Sequence, residues 1–579
     1  MRIHSLRPSL IGAIFSIVLV TACGDSDKVT RSALDSEQDL LRFVPADTPY
    51  LIATPGDMPD DLLDKLEPQV DVMLKAYHSI IRAMIENAYS KAREADSDLA
   101  SYQKIMPVVE ELETLMSVDG LRQAGVARNS DIAIYGVGLL PVFRLSLSDG
   151  ASLEAVITRL EEKANQKMNV ASIDGTSYRY AGDDEGRIVV AIVDQDLVVS
   201  IMPTALSDDM FKQVLGLTLP ANNIASSGAL REVAVAYGLS DAMIGMVDFT
   251  RIADIFLNSA SGINSELLSL MEYDGSSLTD VCKSEILTMV GVMPRVVFGY
   301  SELTSRVMTS KIVMELRDDL ATGIATLTGV VPGLGQPQGG LFSIGMSTDL
   351  LAARSFYSAR LDAIEAEPFE CELFADVQDS VVAGRDVLNQ PIPPVVYGFN
   401  GFLASVSKID GMDLTRNVPP TSVDMRLLVA VDNAASLIAM GAMFSPELAT
   451  MDIQSGGDPV RLAMPMLESI GIDAFVAMTD DAVAVSVGDG MQDGLGGMLK
   501  AATSKPSPFL VVDMDAERYY GFVSDAISVQ AGTLASMPEL LEATQAMSQS
   551  IQTLIDRVGL VVNFTENGVE IESRIQLSE

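Results

Sequence analysis

The stretch 187–201, RIVVAIVDQDLVVSI, constrains what this chain can fold into more than any other. Two runs of branched apolar residues flank Asp194-Gln195-Asp196, which predicts two strands joined by a polar turn, a β-hairpin. The pattern returns at 473–487, DAFVAMTDDAVAVSV. An ungapped shift of 286 residues places Ala191 on Ala477, Asp194 on Asp480 and Ser200 on Ser486. Side chains in a strand alternate between faces, so an ungapped shift keeps each residue on its own side of the sheet. The expectation is one αβ unit written twice.

Other echoes occur in the same order. Tyr135-Gly136 matches Tyr397-Gly398, Val247-Asp248-Phe249 matches Val512-Asp513-Met514, and Val297 to Glu302 matches Val561 to Glu566. The fold class expected is α+β, with two related lobes from an internal duplication, each a mainly antiparallel sheet with packed helices. With 579 residues and 48% hydrophobic content, the chain is long enough for more than one core. Gly and Pro cluster in TGVVPGLGQPQGG, 328–340, which marks the boundary between a first lobe at 41–330 and a second at 340–579.

Within the first lobe, Phe43 to Thr54 carries Pro45 and Pro49 and predicts an edge strand. A helical pair is expected near 60–118. Val70, Met73, Tyr77 and Met84 form the apolar stripe of one helix, and Tyr102, Met106, Val109, Leu112 and Met116 that of the other. Residues 131–147 read as a strand, 151–165 as a helix with Leu153, Val156, Ile157 and Leu160 inward, and 175–181 as a strand entering the hairpin. Residues 296–300 and 305–316 read as a closing pair of strands.

The amino terminus says where such a chain is held. Arg2 and Arg7 precede an apolar run, Leu10 to Val20, too short to span a membrane as a permanent helix. It ends in Val20-Thr21-Ala22-Cys23, which resembles the lipobox of bacterial lipoproteins. That resemblance implies a signal peptide at 1–22, lipidation of Cys23 and a polar tether at 23–40. Gly24 follows the cysteine where retention in the inner membrane typically uses Asp, so the resemblance implies the outer membrane, with the periplasmic face expected. Further on, Pro45-Ala46-Asp47-Thr48-Pro49 resembles the opening of uncharacterised bacterial repeat proteins, which carry no established activity.

Charge and residue usage narrow the chemistry. The net charge is −40, and removing residues 1–22 takes away Arg2 and Arg7 but no acid. Such a surface repels phosphate backbones, which excludes nucleic acid as a partner. The two cysteines beyond Cys23, Cys282 and Cys371, are expected to pair as a disulfide in an oxidising compartment. His78 is the sole imidazole past the signal, on the flank of the first long helix beside Leu74 and Ile81, so a zinc motif or a Ser-His-Asp triad has no second ligand or elbow to use.

Ser101-Tyr102-Gln103-Lys104 fits Ser-x-x-Lys without its companion segments. The glycine run GDGMQDGLGG, 488–497, lacks a phosphate loop's Lys-Ser/Thr ending and reads as a flexible hairpin exit. Asp513 and Asp515 alternate as in a calcium loop, but Arg518 stands where that loop needs glycine. Asp183-Asp184-Glu185 reads as a solvated turn. No catalytic, cofactor-binding or metal residue is assigned. The reading is a non-enzymatic lipoprotein, anchored through Cys23, that binds or supports other envelope components. An envelope hydrolase and a carrier or chaperone holding apolar ligands in a methionine-lined cleft are the rivals.

Overall fold

In a computed structural model, the described residues are 40–94, 100–258, 262–411, 420–445, 448–462, 471, 473–519 and 538–579. The first half contributes strands β1 (Tyr50–Ala53), β2 (Ile132–Val137), β3 (Leu140–Ser146), β4 (Asn169–Ile173), β5 (Thr176–Gly182), β6 (Gly186–Val193), β7 (Asp196–Pro203), β8 (Ile244–Asp248), β9 (Arg295–Leu303) and β10 (Val307–Glu315). The second half contributes β11 (Phe342–Ser347), β12 (Phe399–Asp410), β13 (Ser422–Val431), β14 (Val460–Arg461), β15 (Ala474–Met478), β16 (Ala482–Val487), β17 (Leu510–Asp515), β18 (Ile555–Thr565) and β19 (Gly568–Leu577). All of them join one large sheet whose ladders are antiparallel.

From edge to edge the order is β4-β5-β6-β7-β3-β2-β1-β8-β9-β10, then β19-β18-β17-β11-β12-β13-β16-β15-β14. The two halves meet at the β10–β19 ladder, where Lys311 lies opposite Glu572. Its ammonium reaches Glu572 at 2.9 Å and Glu570 at 3.5 Å. Residues 296–316 therefore do not close the first half: β10 takes β9 on one side and β19 on the other.

The hairpin β6–β7 lies inside the sheet with both faces covered, which is why its arms are continuously apolar. Asp194 and Gln195 take left-handed φ values of 51° and 68°, the two-residue turn that matches strand twist. Asp196 is not part of the exposed tip: it opens β7 and is buried. One face of the sheet carries Ala133, Tyr135, Val142, Val189, Ala191 and Val198, packed against Leu41, Phe43 and Phe211. The other carries Phe143, Leu145, Val190, Leu197 and Val199, packed against Leu74, Met116 and Ile157. Each buried Val, Leu, Ile, Phe or Met among them contributes about 1.5–3 kcal/mol.

Several expectations change in three dimensions. β1 is internal, between β2 and β8, because its prolines precede the paired residues and leave the ladder intact. Residues 131–147 form a hairpin, not one strand, turning at Gly138, whose φ is 59°. β4 was not anticipated. Val331 and Leu334, inside the Gly/Pro-rich boundary, are fully buried in the core of the second half, so that segment is packed and not an exposed linker. Tyr397 ends a short helix, Pro394–Tyr397, and so does not share the strand environment of Tyr135.

The helices that bear on the site are α1 (Asp60–Glu94), α2 (Ala100–Leu115), α3 (Val118–Gln123), α4 (Gly150–Ala164) and α5 (Asp208–Leu215) in the first half. In α1 the buried positions are Leu62, Leu63, Leu74, Ala76, His78 and Ala83, while Met73, Tyr77 and Met84 are exposed, so the inward stripe is displaced from the one expected. The displacement follows from neighbours on two flanks, α2 on one and the helix Pro538–Leu554 on the other. In α4, Val156, Ile157 and Leu160 point inward as expected. No described helix is long and apolar enough to cross a membrane.

Candidate functional site

A cleft of about 800 Å³ opens among α1, α2 and α3. Asp64, Glu67, Asp71, Lys75, His78 and Arg122 contribute to its lining. His78 is 5% exposed, and its Nε2 lies 2.8 Å from the Val109 carbonyl of α2. A carbonyl only accepts, so Nε2 carries a proton. The imidazole thus ties α1 to α2.

The acids around it hold cations already in place. Glu67 accepts from Arg122 at 2.6 Å and from Arg128 at 2.5 Å, and Arg128 also reaches Asp64. Asp71 takes the Lys75 ammonium on one oxygen and the Val118 N–H, at 3.1 Å, on the other. The hydrogen bond to Asp71 raises the Lys75 pKa above its ordinary value. These contacts dock the first turn of α3, capped by Ser117, onto α1. Ser101 and Lys104 lie in the first turns of α2, and their side chains fall outside the described residues, as does Cys23.

The other acidic and glycine-rich candidates are also engaged. Asp513 accepts two bonds from Arg557, at 3.1 and 2.6 Å, whereas Asp515 accepts the Arg518 N–H at 3.0 Å. The two carboxylates serve different partners. Residues 488–497 are not a flexible exit: Met491–Gly494 is a 3₁₀ turn and Leu495–Leu499 a helical turn, with Leu495 fully buried. The Met491 carbonyl accepts from Arg426 Nε at 2.9 Å. Asp183 accepts the N–H groups of Glu185 and Gly186 in an exposed turn. Among the described residues no three His, Cys, Asp or Glu side chains gather to hold a metal.

One polar cluster was missed in the sequence. Arg144, in the middle of β3, is fully buried. Its Nη1 meets Asp196 Oδ2 at 3.1 Å, its Nη2 donates to the Leu215 carbonyl at 2.9 Å, and its guanidinium lies 3.7 Å from the Phe43 ring centre. Burial pushes the Asp196 carboxyl upward, with Arg144 opposing that push, and burial likewise raises the Tyr135 phenol. Gly216 makes room: a Cβ there would stand 2.3 Å from Arg144 Nη2. The one available signal was an arginine inside a run, LPVFRLSL, whose neighbours are apolar on both faces.

Cys282, in the first turn of Asp280–Val290, and Cys371, ahead of Ala375–Leu388, stand at disulfide distance with Cα atoms 4.8 Å apart. Glu285 accepts the Glu370 and Cys371 N–H groups at 2.8 and 3.0 Å, so the same contact is held twice. No protein-family model, curated protein or solved structure matches the chain.

Proposed function

We propose that the chain is a lipoprotein of the bacterial outer membrane, anchored through Cys23, whose body binds or supports other envelope components without catalysing a reaction. The observation that carries the anchor is Val20-Thr21-Ala22-Cys23 after a basic start and a short apolar run. In support of a non-catalytic body, Asp64, Glu67, Asp71 and His78, four of the residues lining the cleft, each already hold a partner. Cys23→Ser tests the anchor. The variant should lose its acyl chains by mass measurement and leave the membrane fraction, and recovery of an acylated variant would sink the reading.

The same proposal takes the body as two copies of one unit. Supporting it, each half runs outward from the β10–β19 ladder through the same succession of nine strands, to which the first half adds β4 at its far edge. The hairpin ladders agree: Val190 opposite Val199 and Ala191 opposite Val198 correspond, 286 residues on, to Val476 opposite Val485 and Ala477 opposite Ala484. Asp149 and Asn433 cap corresponding helices. Asp248 accepts the Arg251 N–H just as Asp515 accepts that of Arg518. This last pair revises the register read from sequence: Asp248 corresponds to Asp515, two residues beyond the echo at Asp513. A two-residue slip keeps every side chain on its own face, so the apolar pattern alone does not reveal it. An experimental structure in which 131–316 and 395–577 differ in strand order would refute the duplication.

A second reading, a carrier for apolar segments, is favoured by the helix Ala434–Phe444, AASLIAMGAMF. It has no charged residue, and Met443 and Phe444 at its end are 82% and 85% exposed. Binding of an apolar fluorescent dye that Met443→Asp/Phe444→Asp abolishes would support this reading; equal binding by both proteins would exclude it.

A further inference from the structure

At one edge of the sheet, β4 pairs with β5 and with no other described strand. At the opposite edge, β14 is only two residues long. Exposed edges are ordinarily blunted by charge, proline or a bulge, because they present unpaired N–H and C=O groups to any other strand. β4 reads NVASI and has none of these devices, and Val170 is 65% exposed. Which groups it presents follows from its turn. Asp174 and Gly175, with φ of 49° and 84°, form a two-residue hairpin loop that sets Ile173 opposite Thr176. That pair flanks the loop and exchanges both hydrogen bonds. Alternation along the ladder then directs the N–H and C=O groups of Ala171 and Asn169 to β5, and those of Val170 and Ser172 away from it.

We propose that this edge is a self-association surface on which two copies of the chain join β4 to β4, antiparallel, about a twofold axis at Ala171. Val170 of each copy then bonds to Ser172 of the other, and all five residues of the strand overlap. The charges at its ends agree with that arrangement. Lys167 precedes the strand and Asp174, which also holds the Lys212 ammonium at 2.8 Å, follows it, both exposed. Antiparallel pairing sets each Lys167 beside the second copy's Asp174, so the attraction occurs twice. A parallel pairing would set like charges together. The short β14 offers no comparable edge for head-to-tail growth, so the contact closes as a dimer. Like β10–β19 it joins two strands antiparallel with opposite charges brought together, at the centre of the ladder there and at its two ends here. A five-residue ladder buries less than the roughly 1,000 Å² of a stable interface, so the dimer forms where local concentration is high.

The test uses the full chain carrying Ala171→Cys. The twofold axis places the two Ala171 positions at a non-hydrogen-bonded site with Cα atoms about 4.5 Å apart, within disulfide reach. An intermolecular crosslink should form, increase with concentration, and form faster than in Val170→Cys, although Val170 is the more exposed residue. Adding Ser172→Pro removes an outward N–H from each copy and spares the bonds to β5, so crosslinking should fall about tenfold or more with the melting temperature unchanged. Crosslinking of Ala171→Cys no faster than Val170→Cys, crosslinking indifferent to Ser172→Pro, or adducts only with other proteins would each overturn the proposal. Should Ala171→Cys fail to fold, sedimentation of the parent and Ser172→Pro chains decides: a parent that stays monomeric as concentration rises also overturns it.

Discussion

Removing Asp196 isolates the energetics of the cluster at Arg144. In Asp196→Ala the guanidinium stays fully buried beside the Leu215 carbonyl and the Phe43 ring but without a counter-charge at hydrogen-bond distance. Breaking a buried pair in this way costs about 3–5 kcal/mol, because one charge is left without compensation. Unfolding entropy grows with chain length, so for a body of about 540 residues each 1 kcal/mol lowers the melting temperature by about 1 °C, and a loss of about 3–5 °C is expected. Arg144→Leu should cost less, about 1–3 kcal/mol, because the carboxyl left behind can take up a proton. Burial already raises the folded-state pKa of Asp196, and loss of the guanidinium raises it further. A raised pKa contributes stability that is full below the unfolded value and is lost as pH rises through the folded one. Arg144→Leu should therefore be closer to the parent near pH 4 than at pH 7. The double variant Arg144→Leu/Asp196→Ala should lie within about 2 kcal/mol of the parent. Under the proposed duplication the equivalent positions are Leu428 and Ala482, both buried apolar residues. Urea unfolding followed by circular dichroism at pH 4 and pH 7 measures all three. A cost below about 1 kcal/mol for Asp196→Ala, or a double variant less stable than it, would refute the reasoning.

Three further outcomes are expected. Gly216→Ala places a Cβ 2.3 Å from Arg144 Nη2 at a φ of 77°, and should cost about 1–3 kcal/mol in the same unfolding assay. Reducing Cys282–Cys371, whose separation is 89 residues, should cost about 4–5 kcal/mol by chain entropy and lower the melting temperature, and Cys282→Ser/Cys371→Ser should reproduce the shift. Arg317 and Arg360 hold the Asp319 carboxyl down at about 2, so its contribution is present above the ordinary carboxylate range and fades as pH falls toward 2. That pairing is half exposed, so Asp319→Asn should cost no more than about 0.5 kcal/mol near neutral pH, checked by melts from pH 2 to 7.

The sequence alone determined the elements whose pattern is local. The hairpin at 187–201 was legible because two apolar arms and a polar turn specify it without reference to the rest of the chain. The helix at 150–164 was legible for the same reason, since Val156, Ile157 and Leu160 lie on one face at helical spacing. What the tertiary structure decided concerns partners distant in the chain. The apolar stripe of α1 moved because a helix from residues 538–554 covers one of its flanks. β1 became internal because β8, almost two hundred residues later, pairs with its second edge. Asp196 looked like part of a solvated turn and is instead the counter-ion of an arginine 52 residues earlier. The hydrogen bond of Asp248 with Arg251 is matched at Asp515 and not at Asp513, the residue the sequence echo pointed to, because strand periodicity is itself two and a two-residue slip leaves the apolar pattern unchanged. Local patterning fixes which face of an element is apolar; long-range pairing decides what that face meets, and whether a charge within it is partnered.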